Sequence, residues 1–506
     1  LEFADIHPLS LIIFLPAVGA LVIALMPKLD GASIKRYALF FSFLSFALSV
    51  ALFAVFDRGD AGIQFTEKLS WIPQIGVHYF LGVDGLNLPM VILTTLLGVV
   101  AVLVSWKIDI RPKEYFAYLL ILETSILGVF LSLDLLLFLL FWEVEIIPMY
   151  FLISIWGKGR KDYSAIKYVI YTIIGGAMIL AGILFLYFKV GPTVEVNGAE
   201  FSAFNMIALR DAGIEAQPVT FLAAAFALLL AGFAIKLPVV PLHTWLPDAH
   251  TDAPTAVSVM LAGSLLKMGG YGMIRLCASI FPETAARAAP YIVVFAVIGV
   301  IYGAALTLRQ TDLKRLIAFS SISHMGYVLL GIFALSSLSL TGATLQMFAH
   351  GVISGLLFAM VGLVYEKTHT RYIPDLGGLA RRMPVIAVVF TLGGLAALGL
   401  PGTAGFSAEF LTFMGSFTSD VVAGIRVYTL IAILGVVLSA GYILWMLERV
   451  FYREPKPEFE HVEDADMVEK VSTFALVAVI LLIGIYPKIL TDVIEMGSTT
   501  VAGLVP

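Results

Sequence analysis

The sequence is poor in charge and nearly free of cysteine. Only 13% of its 506 residues are Asp, Glu, Lys or Arg, while 60% are hydrophobic, and so little charge cannot cover a soluble protein of this length. The single cysteine, Cys277, excludes an internal Cys-ligated iron–sulfur cluster, a disulfide framework and a Cys zinc site. There is no strand-borne G-x-G-x-x-G and no Walker loop to hold a nucleotide. A net charge of −5 argues against a nucleic-acid partner, which needs a basic patch. Long polar stretches are missing as well, and the longest connections, 57–84, 189–217, 366–384 and 452–469, are too short for a soluble domain. Whatever drives this protein therefore comes from an ion gradient or from another subunit.

What the chain does have is apolar runs. About fourteen are long enough to cross a bilayer as helices, centred near Ala17, Phe46, Thr95, Ser125, Glu145, Ala177, Leu228, Ala262, Ile298, Met325, Gly355, Gly399, Leu438 and Val479. The pattern predicts an all-α, polytopic membrane protein. The first run, Leu9 to Met26, has no basic region before it and no small-residue cleavage site, so it reads as a span and not a signal peptide. One set of alternate loops holds basic clusters around Lys35, Lys107, Lys158, Arg309, Arg371 and Arg449, and the other only scattered ones such as Arg58, Arg210 and Arg275. By the positive-inside rule both termini are expected outside the cytoplasm.

Two spans look broken, the seventh at Lys236 to Pro241 and the twelfth at Gly399-Leu400-Pro401-Gly402. Paired interruptions at corresponding positions mark a repeat with its ion site at the breaks. They lie five spans apart, an odd number, so the second copy must be inverted. The expected divisions are N-terminal helices one to three (1–114), a first five-helix unit (115–277), a second (289–451), and a loop with helix fourteen (452–506).

Charges buried in these runs need a reason. Lys236 closes an uncharged run that begins near Val219, and a charge at that depth costs at least ~2.5–3.5 kcal/mol unless it is partnered. Glu143, inside the fifth run, is the expected partner. Glu145 lies roughly 200° further round the helix and is expected to face elsewhere, toward another helix or a neighbouring subunit. In the eighth run Ser264, Lys267 and Tyr271 fall at i, i+3 and i+7, on one face. The tenth carries Ser320, Ser321, Ser323 and His324; the eleventh, Gln346, His350 and Ser354; the twelfth, Glu409, Thr412 and Ser416. Histidine exchanges protons on both ring nitrogens near neutral pH and suits a relay, although a lone membrane histidine is often only a hydrogen bonder.

The series Glu143, Lys236, Lys267, His324, His350 and Glu409 describes a path in the membrane plane along which each proton move alters the next site. His243, Asp248, His250 and Asp252, after the seventh run, are candidates for proton uptake. Asp252, just before Pro254, is better read as a cap of the eighth helix. Asp312 suits the start of the tenth helix, with Lys314 and Arg315 anchoring at headgroups.

These stretches resemble the antiporter-like subunits of respiratory complex I, the chain M group most closely. The matching segments are FWEVEIIPMYFLISIWG (141–157), FAIKLPVVPLHTWLPDAHTDAPTAVSVMLAGSLLKMGGYG (233–272), LRQTDLKRLIAFSSISHMGYV (308–328), MFAHGVISGLLF (347–358) and GLPGTAGFSAEF (399–410). The resemblance implies fourteen helices, two inverted five-helix units and a proton channel without its own redox group. It assigns Glu143 and Lys236 as a coupled pair, Lys267 as central relay, His324 and His350 as further relays, and Glu409 as terminal group. It also implies no cofactor in this chain, with iron–sulfur clusters, FMN and quinone in partner subunits. Two sister antiporter-like subunits in an energy-transducing bilayer, such as the bacterial inner membrane, would be its neighbours.

Sister subunits and multisubunit Na+/H+ antiporters typically carry lysine where this chain has Glu409, which favours a proton-pumping subunit of a quinone-reducing NADH dehydrogenase. Glu145 is more like the photosynthetic D-type homologues and leaves the electron donor open. The alternatives are a subunit of a cation/proton antiporter or of a related ferredoxin- or hydrogenase-linked complex, and a scaffold with a vestigial channel.

Overall fold

In the computed structural model, residues 6–27, 29–214 and 217–505 are described. Twelve helices in it are long and apolar enough to cross a membrane, and two shorter apolar helices, Leu88–Val104 and Pro384–Ala397, supply the third and twelfth spans. Each falls on one of the fourteen runs expected from the sequence. The seventh span, Val219–Lys236, stops at the lysine, and the chain becomes helical again at Trp245–Asp252. The twelfth, Pro384–Ala397, resumes as Ala404–Thr418. Both breaks close with the same widened turn, Val239 N–H donating to Ala234 O at 2.9 Å and Leu400 N–H to Leu395 O at 3.0 Å. Proline follows Leu237 and Leu400, and its missing donor and ring clash end a helix there.

The apolar windows of three spans are buried along their whole length: the eighth (Thr255–Ala278), the tenth (Leu313–Phe333) and the eleventh (Ser337–Thr368). These spans carry Lys267, His324 and His350, so the polar series lies at the centre of the bundle. Close helix contact depends on glycine at particular points. A Cβ on Gly326 of the tenth span would stand 2.8 Å from both Val300 N and Ala296 O of the ninth, Pro282–Leu308. Backbone cannot yield as a flexible side chain can.

Two features depart from the sequence reading. The connections hold β-hairpins, one pairing Gln64–Ile72 with Val77–Val83 and the other Thr193–Val196 with Ala199–Ser202. The second turns at Asn197-Gly198, both at positive φ, the strongest short-range hairpin signal in the chain. The first hairpin serves the spans: Glu67 accepts the Leu9 N–H at 2.7 Å and the Ser10 N–H at 3.1 Å, satisfying the start of the first helix.

The other departure concerns charge. Arg275 is not a loop residue but lies buried within the eighth span, ion-paired to Asp84 at 2.6 Å. Lys314 is also buried, not spread at headgroups. On the side with the basic clusters, Lys107 joins the third, eleventh and fourteenth spans through Glu366 (2.5 Å), Glu469 (2.6 Å) and Asp466 (3.2 Å). Burial opposes its charge, yet the three carboxylates hold its pKa well above the ordinary lysine range. The clamp therefore keeps its charge at any physiological pH.

Gly326→Val is expected to lower the amount of folded chain in the membrane sharply, and Gly326→Ala to lower the melting temperature of the solubilised protein. Normal accumulation and melting of the valine variant would show that the ninth and tenth spans do not touch there.

Candidate functional site

Lys236 ends the seventh span with its ammonium buried, and the carboxylate that meets it is Glu145. Tyr168 of the sixth span (Lys161–Val190) donates its hydroxyl to the other oxygen of Glu145, and that hydroxyl lies 3.2 Å from Lys236 Nζ. The ammonium also stands over the rings of Trp142 and Tyr168, at 5.4 and 5.3 Å from their centroids, a further stabilisation of a desolvated cation. Trp245, past the break, donates to Ile235 O at 2.9 Å, satisfying a carbonyl near the broken helix end.

The expected Glu143–Lys236 pair is therefore corrected. Glu143 is only half-buried and lies against Gly176 of the sixth span, whereas Glu145 is fully buried. Sequence spacing gives the angle between two residues on a helix, not which of them faces inward. The fifth span is interrupted at Glu145, between Leu135–Val144 and Ile146–Trp156. Pro148 cannot donate to the carbonyl one turn back. Tyr168 was missed altogether, since a tyrosine near a helix end looks like an interfacial anchor.

Lys267 occupies the eighth span between two π-helical segments, Leu261–Leu265 and Met273–Ala278. Such bulges are frequent at functional sites because they turn side chains off the regular face and free carbonyls. Its ammonium donates to the freed Ala262 carbonyl and meets His350 Nδ1 at 2.8 Å. Among the described residues no carboxylate lies within ion-pair distance of it. Lys267 and Tyr271 share the α-helical stretch Leu266–Gly272 between the bulges, where the Tyr271 hydroxyl accepts from Arg275 Nε at 3.1 Å, while Ser264 falls in the first π segment.

From His350 the series runs on to His324, ring centroids 5.4 Å apart, and then to Glu409, whose Oε1 is 3.7 Å from His324 Nε2. His324 Nδ1 faces Ser320 O at 2.8 Å and Nε2 faces Ala397 O at 3.0 Å. A neutral ring has one N–H, so both contacts are hydrogen bonds only when the ring carries two protons. Ala397 is the last residue before the second break, where Glu409 fits against Gly399 at φ +79°. Among the described residues, Gln346 Oε1, Ser416 Oγ and the hydroxyl of Ser264 are buried without a hydrogen-bond partner. Water could join such groups where there is room.

The structure thus brings Lys267, His350, His324 and Glu409 into one contiguous set, sets Lys236 in a second with Glu145, and leaves Glu143 at the edge of the latter. Of the uptake candidates, His250 is buried, stacked on Phe358 at 4.4 Å, with both ring nitrogens unpartnered. Asp248 faces Lys167 at 2.7 Å and Arg315 at 3.4 Å. Asp252 does not cap the eighth helix; it accepts from Ser164 at 2.6 Å. Asp312 does cap the tenth, accepting the Arg315 N–H at 3.1 Å.

Residues 132–437 match the family model described as NADH:quinone oxidoreductase/Mrp antiporter, transmembrane. The chain is 43% identical to NAD(P)H-quinone oxidoreductase chain 4 1 of Synechococcus elongatus, over 98% of this chain and 91% of that one. It is 41% identical to NADH-quinone oxidoreductase subunit M of Rhodobacter capsulatus, over 96% and 94%. Among solved structures, a chain of respiratory complex I from Thermus thermophilus superposes with a TM-score of 0.88 at 27% identity, covering 98% of this chain and all of that one. A chain of the Mrp complex from Dietzia shares the fold, with a TM-score of 0.81 at 20% identity over 97% and 51% of the two chains.

Glu145→Gln strands a buried ammonium, at a cost of about 3–5 kcal/mol, and is expected to lower the melting temperature clearly. Glu145→Gln/Lys236→Met is expected to melt closer to the parent than the single variant, and Glu143→Gln to melt like the parent. If Glu143→Gln and Glu145→Gln destabilised equally, Glu145 would not be the counter-ion assigned.

Proposed function

Since the chain belongs to the NADH:quinone oxidoreductase/Mrp antiporter transmembrane family, we propose that it is the chain M-type (chain 4) membrane subunit of a quinone-reducing NAD(P)H dehydrogenase, and that it moves protons. The observation that carries the reading is the contiguous set of Lys267, His350 and His324, in the three most deeply buried spans, with the buried Glu409 of the twelfth. Buried ionisable groups are costly at membrane depth and mark proton relays. Full-length relatedness to dehydrogenase chains, together with glutamate at 409, favours a dehydrogenase over a cation/proton antiporter.

Lys236 keeps its proton while Glu145 is ionised and aligned by Tyr168. When that carboxylate is neutralised or turns away, the ammonium loses its counter-charge in a medium that barely screens, and transfer toward the centre becomes favourable. Lys267 receives charge without a carboxylate to hold it and passes a proton directly to the His350 nitrogen it touches. His324 and Glu409 form the last pair, where a second proton on the ring is matched by the carboxylate. Every step moves a proton between this chain's own side chains. Iron–sulfur clusters, FMN and quinone chemistry belong to partner subunits in this reading. Sister antiporter-like subunits flank the chain, and both termini face away from the cytoplasm in an energy-transducing membrane.

The test is the purified parent complex in sealed vesicles, with NAD(P)H oxidation and proton uptake measured together. Lys267→Ala and Glu409→Gln are expected to cut proton uptake several-fold while NAD(P)H oxidation by an artificial acceptor persists. Undiminished proton uptake in Lys267→Ala would overturn the relay.

A further inference from the structure

A cavity of about 350 Å³ opens among the helix ends on the side with the basic clusters. Its walls come from the ends of the third, fifth and eleventh spans and the starts of the fourth, eighth and tenth. Four cations line it, Lys107, Lys158, Lys314 and Arg371, against one carboxylate, Glu366. Two of the cations are already matched. Lys107 holds Glu366, Glu469 and Asp466, and Arg371 pairs with Asp312 at 2.6 Å and donates to Thr251 O at 2.6 Å.

The other two have only neutral partners. Lys158 Nζ meets the Tyr365 hydroxyl at 3.0 Å and stands 4.2 Å from its ring centroid. Lys314, 5% exposed, donates to Ala253 O at 2.5 Å. Among the described residues neither has a carboxylate within 4.0 Å. An ammonium buried beside one neutral carbonyl is poorly satisfied, and Asp312 and Asp252 act on it only from beyond ion-pair distance, offset by Arg371 and Lys158. The wall between them includes Thr255 and Ala256, where the eighth span starts with no side-chain cap. The first N–H groups of a helix have no carbonyl of their own helix to serve and carry partial positive charge.

We propose that this cavity binds a phosphate group, held by Lys158 and Lys314 with the N-terminal N–H groups of the eighth span as further donors. Phosphate fits the donor set better than other anions. It offers several acceptor oxygens to donors on several sides, whereas a carboxylate offers two and a halide fills little of the space. The position fits as well. Trp156 and Tyr115 line the cavity, with aromatic rings where headgroups meet hydrocarbon, and basic pockets between spans on this side take phosphorylated headgroups. The same charge disfavours a simple mouth for hydronium or metal cations. The site lies at the ends of the two spans that carry Lys267 and His324, so its occupant would set the charge at the base of the central series. The binding itself does not depend on whether that series moves protons.

The phosphate could belong to a phospholipid or to a free phosphate ester, and two probes separate them. The purified complex containing this chain is reconstituted in nanodiscs of phosphatidylglycerol or phosphatidylcholine, re-extracted and examined by native mass spectrometry for retained lipid. In parallel, the detergent-solubilised complex is dialysed against radiolabelled inorganic phosphate. Parent protein is expected either to retain phospholipid or to bind phosphate saturably. Lys158→Ala, on an exposed loop and so harmless to folding, is expected to weaken that binding by at least about fivefold, Lys158→Arg to keep it, and Lys161→Ala, outside the cavity, to leave it unchanged. Lys314→Gln should abolish it where the variant folds. No binding of either probe, or binding indifferent to Lys158→Ala, overturns the site.

Discussion

An ammonium taken out of water must be answered by something, and how each lysine in this bundle is answered decides what it can do. Lys236 is answered fully: a carboxylate, a tyrosine hydroxyl bridging the pair, and two aromatic faces. Lys267 is answered by a backbone carbonyl and a neutral-capable imidazole. With effective dielectrics far below that of water, the difference between an ionic and a neutral partner amounts to several kcal/mol. In the proposed relay the first lysine is therefore a place where a proton rests and the second a place through which it passes. Loss of the Glu145 contact would make the two alike.

The helix breaks are part of the same accounting. Interrupting a helix inside a membrane frees carbonyls that have no water to turn to. At the first break Trp245 serves Ile235; at the second, His324 serves Ala397. The two solutions are geometrically alike, but an indole N–H is permanent whereas a ring nitrogen of histidine can lose its proton. In the second half the satisfaction of the broken backbone and the protonation of His324 are therefore one variable. A proton leaving Nε2 would strand Ala397 O, so departure and backbone adjustment go together.

The bundle was legible because its signals are long: runs of apolar residues, breaks marked by Leu-Pro, and charge clusters between them. The identity of the buried series was legible too, since lysine, histidine and glutamate are conspicuous in hydrocarbon. Orientation within one turn was not. Glu143 and Glu145 differ by two positions, and only packing against the sixth span decides that the second faces Lys236. Periodicity assumes an α-helix, and the π segment Leu261–Leu265 breaks that assumption for Ser264, though not for Tyr271, which shares an α-helical stretch with Lys267. The hairpins escaped notice beside the apolar runs, although Asn197-Gly198 announced one of them. Arg275 looked like a loop cation because nothing in a single sequence shows Asp84 waiting for it.

The ends of the series decide which proton movements change its net charge. It is bounded by carboxylates, Glu145 at one end and Glu409 at the other, with only bases between. Two lysines charged and two glutamates ionised sum to zero, so the set carries no net charge, although each ion without a close partner still bears its own desolvation cost. A proton passed from a lysine to a histidine, or from a histidine to Glu409, leaves that sum unchanged and alters only where the dipoles point. Bringing a proton in from outside, by contrast, charges the whole set and is opposed by burial. Internal transfer is thus the easy process and exchange with the aqueous phases the hard one. That ordering is what a pump needs, because a path that exchanged freely with both sides would only leak.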